Sequence, residues 1–486
     1  MEQNAENIKN KAVHGVVWKF MERILAQLVS MVVAIILARM LTPGDYSVVG
    51  IVVIFFNFAN VIISGGLNAA LMQKKEADAE DYSTVLHISV LASVVLYGVL
   101  FLCAPLIADL YGQPILISVI RIMALSLPIY AIKSVLCAYV SANLQFRKFF
   151  FSTIGGTLIS AVVGIYMAQK GYGPWALVAQ QLTNTAIDTL ILFLTTRMGI
   201  VLRISFTKFK TLFAYGWKVL MTSLLTTTYT EVIPLFIGIR FTPTDLSFYT
   251  KGKGFPELAS STVTNTLSAV MFPVMAKFQD DKQRLLQYTR RFMRVASYIS
   301  FPVMLGFFAV SDTFVSVVLT DKWLPAAFYI RIFCISSMFD MIHSGNASTI
   351  KAMGRSDIFL IMEIIKKSCY FVIIACFMFL SGRPQILAFA TILCTVVAIV
   401  VNCVPNRSLI GYSFRQQAMD LLPNLIIAGI MCGVVLLVGT LSLALPVMLL
   451  LQIAVGAAVY IVLSIITRND NFFYVWQMVK SYVKRR

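Results

Sequence analysis

The chain has 486 residues, 59% of them hydrophobic and only 13% charged, with a formal net charge of +18 and a mean hydropathy of +0.82. A soluble globular domain carries about a quarter charged residues, so this composition excludes a soluble enzyme or regulator and describes an integral membrane protein. The positive charge falls between apolar spans, where it sets topology and meets anionic lipid, and it does not point to nucleic acid as a partner.

Apolar runs of about 20 residues, the length that crosses a hydrocarbon core ~30 Å thick, recur from Val13 to Ile466. Read against glycine, proline and charge breaks, they predict helices over 14–40, 46–72, 83–108, 115–142, 150–169 and 174–196, then 214–239, 246–276, 292–319, 326–350, 357–380, 384–405, 419–440 and 446–466. That makes an all-α, polytopic membrane protein of fourteen spans. The first run contains Lys19, Glu22 and Arg23, which argues against a cleaved signal peptide. The expected organisation is a six-helix lobe over 1–200, a cytoplasmic linker over 201–213, a second six-helix lobe over 214–410 and two extra spans over 411–466. A basic tail follows over 467–486, where Phe472, Val475, Trp476, Val479 and Val483 recur at helical spacing and suit an amphipathic helix on the inner surface.

The chain repeats itself. A span opens near Trp18, ends on Arg39 and breaks at Thr42-Pro43-Gly44-Asp45; another opens near Trp217, ends on Arg240 and breaks at Thr242-Pro243-Thr244-Asp245. Further on, Ile120-Arg121-Ile122 through Ser126 returns as Ile330-Arg331-Ile332 through Ser336. An even number of helices per copy leaves both copies in one orientation, related by an axis along the membrane normal. Lys74-Lys75, Arg147-Lys148, Arg197 to Lys210, Lys277 to Arg291, Lys351 with Arg355, Arg407 with Arg415, and Lys484-Arg485-Arg486 all fall on the side of the N-terminus. Both termini are therefore expected in the cytoplasm.

Little in the chain suggests bond-making chemistry. The eight cysteines include no Cys-x-x-Cys pair and read as small core residues. The three histidines are scattered, and neither His-Glu-x-x-His, Gly-x-Ser-x-Gly nor a phosphate-cradling glycine loop occurs, so no metal, no cofactor and no catalytic residue is expected. What remains is charge inside spans, at about 2.5–3.5 kcal/mol per central group on insertion scales. The candidates are Glu22, Arg23, Lys133, Asp188, Glu231, Lys251, Lys253, Glu257, Asp312, Asp340 and Glu363. Internal pairing or snorkelling to an interface would account for many of them. Only the second copy of the repeat puts two lysines, Lys251 and Lys253, into the span after its turn.

Several short motifs carry a family resemblance: Ala38 to Tyr46, Gly171-Tyr172-Gly173-Pro174-Trp175 through Val178, Tyr249-Thr250-Lys251-Gly252, Phe272-Pro273 followed by Gln279-Asp280-Asp281, Asp321-Lys322-Trp323, Gly354-Arg355-Ser356-Asp357 with Glu363, and Gly411-Tyr412-Ser413. In that order and spacing the chain resembles the bacterial polysaccharide exporters and lipid-linked oligosaccharide flippases of the O-antigen, teichuronic acid and colanic acid type, within the multidrug/oligosaccharidyl-lipid/polysaccharide superfamily. Ser47 and Ser247 stand where that family often has glycine, an acceptable change at a helix start.

The resemblance implies a V-shaped molecule of two six-helix lobes that opens alternately to either face, with two further C-terminal helices. It implies a monomeric carrier, not an enzyme, in the bacterial inner membrane, moving a polyprenyl-pyrophosphate-linked oligosaccharide, with membrane lipids and polysaccharide-assembly proteins as further partners. Arg23, Lys251 and Lys253 are then expected to attract the pyrophosphate, with Glu22 and Glu257 as counter-charges. Both lysines can face one way only if Gly252, Gly254 and Pro256 distort the helix; otherwise Lys251 is the better candidate. Two other functions are compatible with a chain of this kind: a multidrug or cation antiporter of the same superfamily, relying on intramembrane carboxylates, and a membrane glycan polymerase or ligase, which the short outside loops disfavour.

Overall fold

The two Thr-Pro-x-Asp turns start helices for a local reason. In the computed structural model of the chain, the Thr42 hydroxyl accepts from the Asp45 backbone N–H at 3.2 Å while the Thr42 N–H donates to the Asp45 carboxylate at 2.8 Å. This reciprocal capping box satisfies donors that a helix start leaves without partners, and Pro43 occupies the first helical position, where a missing N–H costs nothing. Thr242 and Asp245 repeat the arrangement at 3.2 and 3.1 Å. The two turns are neighbours, since Ser247 Oγ donates to the Pro43 carbonyl at 2.8 Å.

The structure describes residues 21–23, 25–74, 77–143, 145–196, 198–199, 201, 204–380, 382–474 and 477. Among them are helices and no strand. In chain order they are α1 (Met21–Met40), α2 (Pro43–Ser64), α3 (Leu67–Gln73), α4 (Ala79–Tyr111), α5 (Ile115–Met123), α6 (Ser126–Ala142), α7 (Phe146–Gln169), α8 (Pro174–Thr195), α9 (Phe206–Arg240), α10 (Pro243–Lys277), α11 (Lys282–Phe314), α12 (Pro325–Ser337), α13 (Asp340–Ala352), α14 (Ser356–Leu380), α15 (Pro384–Ile410), α16 (Phe414–Val438) and α17 (Leu445–Ile466). A π turn over Val315–Leu319 and a 3-10 turn over Asp321–Trp323 join α11 to α12.

Among the described residues, twelve helical segments are long and apolar enough to cross a membrane. The other two predicted spans, α10 and α14, have the length at 35 and 25 residues but carry Lys251, Lys253 and Glu257, and Asp357, Glu363, Lys366 and Lys367. This is a multi-pass, all-α membrane protein. The fourth span of each repeat copy is made of two helices, and both composite spans, Ile115–Ala142 and Pro325–Ala352, are 28 residues long. Residues 14–20 of the first predicted helix lie outside the described residues, as does most of the tail, of which 470–474 are helical.

The chain divides into two compact units, Met1–Ser247 and Phe248–Arg486. In the first, α7 lies along α8, and α6 on α8 and α4. The seventh span, α9, which the repeat pattern groups with the spans after it, packs here on α2, α3 and α4. Two glycines permit this. Gly66, at a φ of +69°, lies so close to α9 that an added Cβ would stand 2.0 Å from the Gly216 carbonyl oxygen.

In the second unit, α11 packs on α16, α12, α13 and α17, and α15 on α14, α12 and α13. Buried polar ties secure α16. Asp420 accepts from Arg290 at 2.7 and 2.8 Å, from Arg294 at 2.5 and 3.0 Å, and from the Tyr412 hydroxyl at 2.8 Å. Nearby, Asn346 donates to Gln417 at 3.0 Å and Asn406 donates to Asn346 at 2.5 Å. Buried polar groups keep their cost low only when satisfied in this way.

Candidate functional site

In the first unit two of the charges inside spans are paired with each other. Lys133 on α6 and Asp188 on α8 meet at 2.5 Å with side-chain exposures of 25% and 7%. Two residues flagged separately in the sequence are thus one ion pair, as internal pairing would have it. Glu231 on α9 accepts from the Asn57 amide on α2 at 2.8 Å. These two line a polar cavity of about 360 Å³ with Asn60, Ser64, Tyr130 and Thr227. Glu22 is buried at 8% on α1, and its neighbour Arg23 is exposed.

In the second unit the site is built around α10. This helix rests on α12 at Gly252, where a Cβ would stand 2.4 Å from Tyr329 Cβ and 2.9 Å from the Ala326 carbonyl oxygen. No larger residue allows that approach. Lys251 and Lys253 flank the contact. Because α10 is helical throughout Pro243–Lys277, the two lysines stand about 200° apart around it and do not share a face. Lys251 lies ~12 Å along the axis from Pro243, with its Nζ 5.8 Å from the ring centroid of the fully buried Trp323, within reach of a cation–π interaction. Lys253 is half-buried. Glu257 is exposed and makes no ion pair among the described residues, so it is not a partner for either lysine here.

Farther along α10, Ser260 donates to the Asp340 carboxylate at 2.7 Å. On α14, the buried Lys366 donates to Glu363 at 2.5 Å and lies 3.1 Å from His343 Nδ1 on α13. Sequence reasoning missed Lys366 and set His343 aside. The three-residue spacing of Glu363 and Lys366, which puts them on one helix face, was the available signal. Asp312 pairs with Arg331 across α11 and α12. The corresponding arginine of the first copy, Arg121, likewise reaches back to the preceding helix, lying 4.3 Å over the Phe101 ring. Among the described residues, no three His, Cys, Asp or Glu side chains gather to hold a metal ion.

Residues 36–328, more than half of the chain, match the family described as polysaccharide biosynthesis protein. The chain belongs to that family. The matched segment takes in both Thr-Pro-x-Asp turns, the two lysines of α10 and Trp323. Proteins similar to this chain include the teichuronic acid biosynthesis protein TuaB of Bacillus subtilis (strain 168), 21% identical over 72% of this chain and 73% of that one. The lipopolysaccharide biosynthesis protein WzxC of Escherichia coli (strain K12) is 21% identical over 87% of this chain and 88% of its own. Among solved structures, the lipid II flippase MurJ in its inward closed conformation shares the fold, with a TM-score of 0.77 at 14% identity over 93% of this chain and 99% of that one.

Proposed function

We propose that this protein carries a polyprenyl-pyrophosphate-linked oligosaccharide, the repeat unit of a surface polysaccharide, across the bacterial inner membrane by alternating access. The observation that carries this reading is the family assignment, supported by relatives named for teichuronic acid and lipopolysaccharide biosynthesis. The protein acts as a carrier and makes no bond. Lys251, the better candidate on a regular α10, supplies positive charge inside a membrane-spanning helix, and the pyrophosphate is the substrate group that such charge attracts. Burying an ammonium group is costly, and an anionic cargo offsets part of that cost by pairing with it where a neutral cargo cannot.

The test is substitution in a strain with no second exporter. Deletion of the gene should abolish surface polysaccharide and leave lipid-linked repeat units facing the cytoplasm. Lys251→Ala should cut export at least tenfold with membrane insertion unchanged, Lys253→Ala, on another face of the regular α10, should cost much less, and Lys251→Arg should be milder. Normal polysaccharide in the deletion strain would overturn the function. Normal export by the double alanine variant would overturn the role of the lysines alone.

A further inference from the structure

A second charged feature lies away from α10, where α15 turns into α16. The turn Gly411 to Ser413 joins two apolar helices of 27 and 25 residues, so it sits at the membrane surface. Beside it opens a cavity of about 650 Å³, lined by Val400, Cys403, Val404, Arg407, Phe414 and Arg415 together with Ser413. The lining is mostly apolar and carries two arginines. Leu393, Val396, Val400 and Val404 are all exposed and follow one another at spacings of three and four residues, so they form a single stripe along α15. That stripe ends, three residues on, at Arg407.

Among the described residues neither arginine pairs with a carboxylate. Between residues 384 and 424 the chain contains one acidic residue, Asp420. Its oxygens are engaged by Arg290, Arg294 and Tyr412. Arg407 and Arg415 are exposed and form no ion pair among the described residues. Two guanidinium groups at headgroup level over an apolar stripe at acyl-chain level match one ligand in both charge and shape. Arginine's planar fork binds phosphate in a way a point charge does not.

We propose that the groove between α15 and α16 is a binding site for an anionic phospholipid, its phosphate held by Arg407 and Arg415 and an acyl chain lying along Val404, Val400 and Val396. This site is independent of the transport reading and uses none of the α10 residues.

The test is native mass spectrometry of the full-length protein released from nanodiscs containing equal phosphatidylglycerol and phosphatidylcholine. The wild type should retain phosphatidylglycerol preferentially. At about 1 kcal/mol per basic residue near an anionic surface, each single Arg407→Gln or Arg415→Gln substitution should lower that preference about fivefold and the pair about 25-fold. The paired Arg→Lys variant, which keeps the charge and loses the planar fork, should fall between the wild type and the paired Gln variant. Melting in phosphatidylcholine-only discs establishes that the variants fold; if the double variant does not, the two singles carry the same comparison. Equal retention of the two lipids by the wild type, or undiminished phosphatidylglycerol retention in the folded variants, overturns the site. Preferential retention of added polyprenyl phosphate at these arginines would overturn the phospholipid assignment and make the groove a substrate contact.

Discussion

Lys133 and Asp188 show what a side chain's setting adds to its identity. The sequence marks both as charges inside spans but has no means of joining them, because they belong to different helices and no local spacing relates them. At 2.5 Å, with the carboxylate nearly buried, they become a unit in which each offsets the other's desolvation. Removing one partner of a buried pair costs about 3–5 kcal/mol, whereas replacing both with apolar groups is often neutral. Asp188→Asn should therefore lower the melting temperature in detergent sharply, and Lys133→Met combined with Asp188→Leu should recover most of the loss. Additive damage in the double variant would show that the two residues act separately. Lys251 and Lys253 were legible as unusual for the opposite reason: both stand on one helix, two residues apart. Which way each points was not legible, since that depends on whether α10 stays regular at Gly252, and the contact with Tyr329 that sets its place on α12 comes from far along the chain.

At the scale of elements, apolar run length predicted helix existence well, and most ends agree within a few residues. The misses have physical causes. The predicted helix over 46–72 is broken at Gly65 and Gly66, both at positive φ; Ser64-Gly65-Gly66 is a turn signal that the apolar residues on either side outweighed. The seventh span begins at Phe206 instead of 214, because Lys208 reads as a linker charge while the fold gives it partners. It reaches Asp78 at 2.6 Å and Glu80 at 2.7 Å at the start of α4, and its hydrogen bond holds the Asp78 carboxyl down at about 2. That contact stays ionised at any physiological pH. The approach of α3 to α9 is the element-level feature most open to test. Gly216→Val would bring side-chain atoms against the Gly66 carbonyl, 3.2 Å from the first added carbon, and overpacking of this kind costs about 1–3 kcal/mol. Gly50→Ala on α2, where nothing lies within 4 Å of an added Cβ, should be neutral or stabilising by up to about 1 kcal/mol. Thermal melting of the two variants side by side checks the contact; equal melting temperatures would refute it.

For the whole molecule, the repeated turns were legible because their markers are short and strict: a capping box needs its threonine and aspartate three residues apart. The composite fourth spans were not, since a helix broken in mid-membrane keeps its hydropathy. Topology can be measured directly. Cysteines introduced at Gln113 and Asn143, at opposite ends of the α5–α6 span, in a variant lacking the native cysteines should be labelled from outside and from inside respectively. The reverse pattern would place the termini outside. The charge of α10 also bears on how the protein is made. Three ionisable groups in one span, at about 2.5–3.5 kcal/mol each near a helix centre, oppose release of α10 into lipid by itself. The α12 surface that receives Gly252, and Trp323 beneath Lys251, emerge from the ribosome only some 70 residues later, a delay of several seconds at about 5–20 residues per second. Until then α10 lacks the neighbours that offset its charge in the finished fold, so its place depends on a helix made later.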